Sequence, residues 1–199
     1  MSKFILPVVI LCFAALCQGA QPIVDNERVT VWDAVSTQAD PNPIPSHNRD
    51  FVTIYLAGAA DGAHKKGDVI FAHNGAAKLS PGERVVVIEL KDHPVPPLPN
   101  KSGYPLAFPR PRVKKVLENN RIVVWSYAWK PGEPTPMHFH DKDVVVVYME
   151  DTALKSTTPE GKSTVNEYSA FQTKFNLRDR VHTETLVRGT GSAIMTELK

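Results

Sequence analysis

Cysteine is nearly absent from this chain. Cys12 and Cys17 are the only two, and both fall in the first twenty residues, which read as a secretory leader. Lys3 supplies a positive start, residues 4–16 are apolar apart from Pro7, and Gly19 and Ala20 offer a small-residue cleavage site. The mature chain is expected to begin near Gln21, to be secreted or periplasmic, and to hold no thiol. Disulfides and thiolate metal ligands are thereby excluded, so any metal must be held by His, Asp or Glu. An excess of one charge is also missing: there are 23 basic and 21 acidic residues, and removing Lys3 leaves 22 against 21. A nearly neutral chain without a long basic run excludes nucleic acid as the main partner, and no stretch after the leader is long enough to span a bilayer. Helical periodicity is scarce and the 17 prolines interrupt what there is. What remains is a series of short runs rich in β-branched and aromatic residues, at 29–31, 51–56, 85–90, 122–129 and 144–149. They predict an all-β fold.

The runs repeat. Asn26-Glu27-Arg28-Val29-Thr30-Val31-Trp32 has an echo in Asn119-Asn120-Arg121-Ile122-Val123-Val124-Trp125. Pro43-Ile44-Pro45-Ser46-His47 matches Pro134-Thr135-Pro136-Met137-His138, and Phe51 to Leu56 matches Val144 to Met149. Each copy closes on the same three residues, Glu89-Leu90-Lys91 and Glu197-Leu198-Lys199. Matches in one order with gaps that fall in loops predict two copies of a single β-unit. The expected organisation is a leader over 1–20, a first unit over 21–91, an extended proline-rich connector over 92–117 and a second unit over 118–199.

Chemistry concentrates in the second copy, at Pro131-Gly132-Glu133-Pro134-Thr135-Pro136-Met137-His138-Phe139-His140-Asp141-Lys142-Asp143. Two histidines one residue apart point to the same side of an extended chain, so both imidazoles can approach one ion. Proline and glycine before them and the run Val144-Val145-Val146-Val147-Tyr148 after them place the pair where a loop becomes a strand. Trp125, Tyr127 and Trp129 alternate on one face of the preceding strand, and with Tyr148 they are candidate walls of a pocket, or else ordinary core packing.

Gly132, five residues, then His138-Phe139-His140 resembles the first motif of the cupin superfamily. The resemblance implies a double-stranded β-helix, or jelly-roll, barrel built from two pseudo-repeated units. It also implies a third ligand from a later loop, for which His182 is the candidate. The family expects a glutamate after three or four residues intervening beyond His140, where this chain has Val144 and Val145, and Asp143 is the candidate substitute. With three histidines alone the site resembles the cysteine-dioxygenase-like branch; with Asp143 it resembles germin-type or quercetinase-like members. In the first copy Arg49 stands where the repeat places the second histidine, and Lys78 where the second motif would place another, so that copy is expected to be degenerate and structural.

The implied cofactor is one divalent first-row ion, iron, manganese, nickel, copper or zinc, and the implied partner is a small-molecule substrate or ligand, with a homodimer admitted. Two readings stay open here: a metal-dependent enzyme of oxygenase type, and a non-catalytic cupin that binds a metal or small molecule. Glu184 and Arg188, close in sequence to His182, are candidates to touch a substrate or else solvated surface residues, and His64 and His93 are expected at the surface.

Overall fold

Asn26 and Asn119 open the two halves of the fold in the same way. The Asn26 side-chain oxygen accepts the backbone N–H groups of Arg28 and Val29 at 2.9 and 3.0 Å, and that of Asn119 accepts those of Arg121 and Ile122 at 2.8 and 3.0 Å. Each turn is thus held by an asparagine that feeds the chain into a strand. The computed structural model describes residues 21–45, 47–58 and 62–199, and the expected leader lies outside the described residues. Within them the chain forms strands and no helix.

The strands are β1 (Val24–Asp25), β2 (Val29–Val35), β3 (Asp50–Ala57), β4 (Val69–Ala72), β5 (Arg84–Leu90), β6 (Lys114–Glu118), β7 (Ile122–Ala128), β8 (His138–His140), β9 (Val144–Tyr148), β10 (Thr152–Thr157), β11 (Ser163–Tyr168), β12 (Thr173–Asn176), β13 (Arg180–Gly189) and β14 (Ser192–Leu198). Two five-stranded antiparallel sheets have the orders β1-β2-β5-β3-β4 and β6-β7-β14-β9-β12. The second order is the first one repeated, and the registers agree. Val29 lies opposite Leu90 and Trp32 opposite Val87, as Ile122 lies opposite Leu198 and Trp125 opposite Met195.

The repeat is incomplete. The second unit adds a four-stranded sheet, β11-β10-β13-β8, and among the described residues the first unit has no counterpart of it. In the first unit the loops close over that side instead, where Ile44 and Leu79 pack with Trp32, Phe51 and Tyr55. The connector also differs from a plain linker. Its end is strand β6, and residues 98–107 run beside β8, with Ala107 N donating to Phe139 O and Phe139 N to Pro105 O, both at 2.8 Å.

The five-stranded sheets are buried on both faces. One face of each meets the other sheet in a shared apolar layer that includes Val52, Ile54 and Ile88 from the first unit and Val124, Val145 and Val147 from the second. The opposite face of the second sheet, with Trp125, Val146 and Tyr148, turns into its barrel. Burial on both sides is why these strands read as unbroken apolar runs rather than as alternating ones.

Polar contacts bind the units reciprocally. Arg28 pairs with Asp143 and donates to Lys199 O at 3.0 Å, while Arg121 pairs with Asp50 at 3.0 Å and donates to Lys91 O at 2.7 Å. The two pairs are unequal in burial, because the Arg28 and Asp143 side chains are 9% and 4% exposed and those of Arg121 and Asp50 are 25% and 16% exposed. Removing Arg28 leaves the buried Asp143 carboxylate with the neutral Arg178 N–H but no counter-charge, whereas the more exposed Asp50 keeps His73 at 2.8 Å. Chemical denaturation is expected to show Arg28→Ala losing about 3–5 kcal/mol and Arg121→Ala clearly less; equal losses would contradict this ranking.

Candidate metal centre

Strands β8 and β13 pair antiparallel, with His138 opposite His182 and His140 opposite Arg180. Directly opposed residues of an antiparallel pair project to the same face. That face is the barrel interior, and it gathers three imidazoles. The Nε2 atoms of His138 and His140 are 3.2 Å apart, and those of His140 and His182 are also 3.2 Å apart.

The loop before β8 sets this up. Gly132 takes a positive φ of 76°, which only glycine adopts without strain. The extended segment that follows keeps the pairing with β13 going, since Thr135 N donates to Glu184 O at 2.9 Å and Glu184 N to the Thr135 hydroxyl at 2.8 Å. His138 Nδ1 donates to the Pro136 carbonyl at 2.7 Å, which fixes its tautomer and leaves Nε2 as a bare acceptor. The Ser156 hydroxyl stands 3.3 Å from His182 Nδ1 and orients that ring.

Burial holds all three imidazoles neutral. It pushes His138 down to about 3, helped by Arg110 and then His182. It pushes His182 down to about 3, helped by Arg180 and Arg110, and it pushes His140 well below the ordinary histidine value, with Arg180 the next cause. Neutral imidazole lone pairs turned toward one another repel unless a cation stands among them. In this structure Arg110 Nη1 supplies one, 3.0 Å from His138 Nε2.

These residues fit a divalent first-row ion. Imidazole–metal distances of about 2.0–2.1 Å at octahedral or tetrahedral angles put ligand nitrogens roughly 2.8–3.4 Å apart, which brackets the 3.2 Å of both pairs that His140 makes. Among the described residues, His138, His140 and His182 are the group of His, Cys, Asp and Glu side chains able to hold an ion. An all-imidazole set without thiolate suits a first-row transition metal or zinc rather than calcium or magnesium.

Asp143 is not part of the cluster, a correction to the sequence expectation. One of its oxygens is engaged by Arg28 and the other accepts Arg178 N at 2.8 Å. It ends the turn after β8 and faces the junction of the two units. The aromatic candidates divide. Trp129 and Tyr148 line the cavity beside His140 and His182, whereas Trp125 stacks on Phe108 at 5.4 Å and donates to Glu197 at 2.8 Å. Tyr127 packs edge-on against Trp129 at 5.1 Å and lies under the Arg110 guanidinium at 4.2 Å. Burial raises the Tyr148 hydroxyl well above its ordinary value.

The neighbours of the histidines were legible only in part. Glu184 is inside, not at the surface: it accepts Trp129 Nε1 at 3.1 Å and stands 3.7 Å from Arg110. Arg180, His182 and Glu184 alternate along β13, and that period of two was the available signal. Arg110 and Phe108 come from the proline-rich connector and had no signal of that kind. Arg188 is exposed and pairs with Glu167, as expected. His93 is exposed too, but His64 is not a free surface residue, since it reaches Glu83 at 2.7 Å and stacks on Tyr55 at 3.9 Å.

The first unit holds no such cluster among its described residues. Because Asp50 and Leu90 pair as Asp143 and Leu198 do, counting back without a gap makes His47 the counterpart of His140, not of His138 as the repeat in sequence suggested. His47 and Arg49 both bind Glu89, at 2.8 and 2.6 Å.

No protein-family model matches the chain. Over 60 residues it is 38% identical to the beta-alanine degradation protein BauB of Pseudomonas aeruginosa, a match that covers 30% of this chain and 59% of that protein. Among solved structures it resembles a point mutant of Bacillus subtilis oxalate decarboxylase OxdC, with a TM-score of 0.56, 10% identity, and coverage of 87% of this chain and 69% of that one. It also resembles a cupin 2 conserved barrel domain protein from Leptotrichia buccalis, with a TM-score of 0.54, 10% identity, and coverage of 90% and 88%. The jelly-roll barrel, the pairing of two units and these two neighbours lead to one conclusion: this chain has a cupin-type fold.

Proposed function

We propose that this protein is an exported, metal-dependent cupin enzyme of oxygenase type acting on a small organic molecule. The observation that carries the reading is the convergence of three neutral imidazoles, two of which, His140 and His182, line a cavity that also exposes Trp129, Tyr148, Arg180 and Glu184. A divalent ion held by His138, His140 and His182 would act there as a Lewis acid or bind oxygen. The rest of the chemistry falls to the chain itself. Glu184, held by Trp129 Nε1 and beside Arg110, is placed to accept a proton or hydrogen bond from a bound molecule. Tyr148, stacked on Tyr168 at 3.8 Å, keeps its hydroxyl protonated and able to donate. Val144, Val146 and Met195 keep the opposite wall dry. The name of the partial relative from Pseudomonas aeruginosa, a protein of beta-alanine degradation, supports a small organic substrate. The leader expected over residues 1–20 supports export.

A second reading, a cupin that binds without turnover, is favoured by one observation. The free space beside the histidines is only about 20 Å³, room for one or two waters. Two measurements decide. Protein purified without added metal is expected to carry about one first-row ion per chain, and His138→Ala to abolish it; unchanged metal content in that variant would refute the site. Oxygen uptake with a panel of thiols, diketones and phenols is then expected for the loaded protein, and inertness to all of them would leave the binding reading.

The titration of the histidines gives a further expectation. In the folded, metal-free protein burial holds His138 and His182 down at about 3 and His140 well below its ordinary value, against about 6.5 in an unfolded chain. Below pH 6.5 the unfolded state therefore binds more protons, so stability falls as the pH is lowered from 6.5 toward 3. Urea denaturation of metal-free protein between pH 7 and 5 is expected to show this fall, with a shallower slope in His182→Gln; identical slopes would contradict it.

A further inference from the structure

His138 Nε2 has two claimants. It accepts a hydrogen bond from Arg110 Nη1 at 3.0 Å, and because Nδ1 of the same ring donates to Pro136 O, Nε2 is the nitrogen through which His138 can hold an ion. A lone pair that answers a guanidinium is not free to answer a metal. Arg110 therefore takes one of the three ligand positions of the cluster from within the chain.

The guanidinium is built into that place. Arg110 is 8% exposed and lies over the rings of Tyr127 at 4.2 Å and Phe108 at 5.0 Å. The connector that carries it is pinned to β8, where Ala107 N donates to Phe139 O. Its Nε is buried with no hydrogen-bond partner, so its terminal nitrogens make its polar contacts. Arg180 lines the same cavity, but its Nε donates to the backbone, to Leu177 O at 2.6 Å. Of the two arginines, Arg110 is the one hydrogen-bonded to a ligand nitrogen.

Glu184 offers Arg110 a second partner. Its Oε2 stands 3.7 Å from Arg110 Nη2, beyond hydrogen-bond length, and accepts Trp129 Nε1 at 3.1 Å. Other arginine–aspartate pairs of the fold are closed, Arg121 with Asp50 at 3.0 Å and Arg84 with Asp33 at 2.7 Å. This one is open because the guanidinium is engaged by the histidine. Once released from His138, the guanidinium still has a carboxylate to answer it, so the release does not strand a buried cation.

We propose that Arg110 is an internal stand-in for the metal: it holds His138 Nε2 in the metal-free protein and passes to Glu184 when an ion binds, stabilising the metal-free site and lowering its affinity. This rests on the reading of His138, His140 and His182 as the metal site.

The test is a zinc titration against a chromophoric chelator, paired with urea denaturation of metal-free protein. Arg110→Gln and Arg110→Met each remove a hydrogen bond from a charged donor, so zinc is expected to bind at least about tenfold more tightly. The metal-free protein is expected to be less stable, because the buried Nε2 loses its donor. The opposite signs identify competition, since an arginine that only supported the barrel would lower both. Arg180→Gln removes the same charge from the same cavity and is expected to raise the affinity less. Glu184→Gln is expected to weaken zinc binding several-fold, and clearly less when Arg110 is glutamine as well. Arg110→Lys, which keeps the cation without the fork, provides the comparison with wild type should the neutral variants not fold. Zinc affinity unchanged or lowered in the Arg110 variants, or raised as much by Arg180→Gln, would overturn the proposal and leave the metal site standing. Equal losses from Glu184→Gln in both backgrounds would overturn the transfer to Glu184. No zinc uptake by wild type or by any variant would overturn both the proposal and the metal site.

Discussion

The register of β13 on β8 is the constraint on which the rest of the site depends. His182 opposite His138 and Arg180 opposite His140 put every chemically active side chain of both strands on the inner face. A slip of one residue would turn them all outward. The loop before β8 defends that register, because Thr135 and Glu184 exchange backbone and hydroxyl contacts just beyond the last paired residues. The connector holds the other edge of β8 through Phe139. A strand of three residues is thereby fixed on both sides, which is what a ligand pair needs in order to keep its geometry.

The two units divide the work. The five-stranded sheets share an apolar layer and reciprocal arginine–aspartate pairs, so each buries a face that neither could bury alone. That arrangement leaves the second barrel free to carry polar groups inside. The first unit shows the alternative use of the same template: the position corresponding to His140 is His47, and it is tied with Arg49 to the buried Glu89. Glu89 and its counterpart Glu197 are both buried, yet in the second unit Glu197 accepts Trp125 and leaves the histidines alone.

Much of this was legible in the residues. The all-β class followed from the β-branched runs, the likeness of two units from the repeat, and the meeting of His138 with His140 from the period of two. Three matters were not. The missing sheet of the first unit could not be seen, because the gaps between repeated strands carry no length rule of their own. Asp143 looked like a ligand because it is close to His140 in sequence, but its fate is set by Arg28, 115 positions away. Arg110 comes from a segment whose prolines signal only extension, and its place beside His138 is a tertiary contact across 28 positions. Local pattern announces which face a side chain takes; it does not announce which distant charge will claim it.

The central claim is that three imidazoles share one ion. X-ray absorption at the edge of the metal found in the purified protein reports that shell directly. The account predicts three imidazole nitrogens at about 2.0–2.1 Å, falling to two in His182→Ala. A shell of oxygens without imidazole, or one unchanged in that variant, would contradict it.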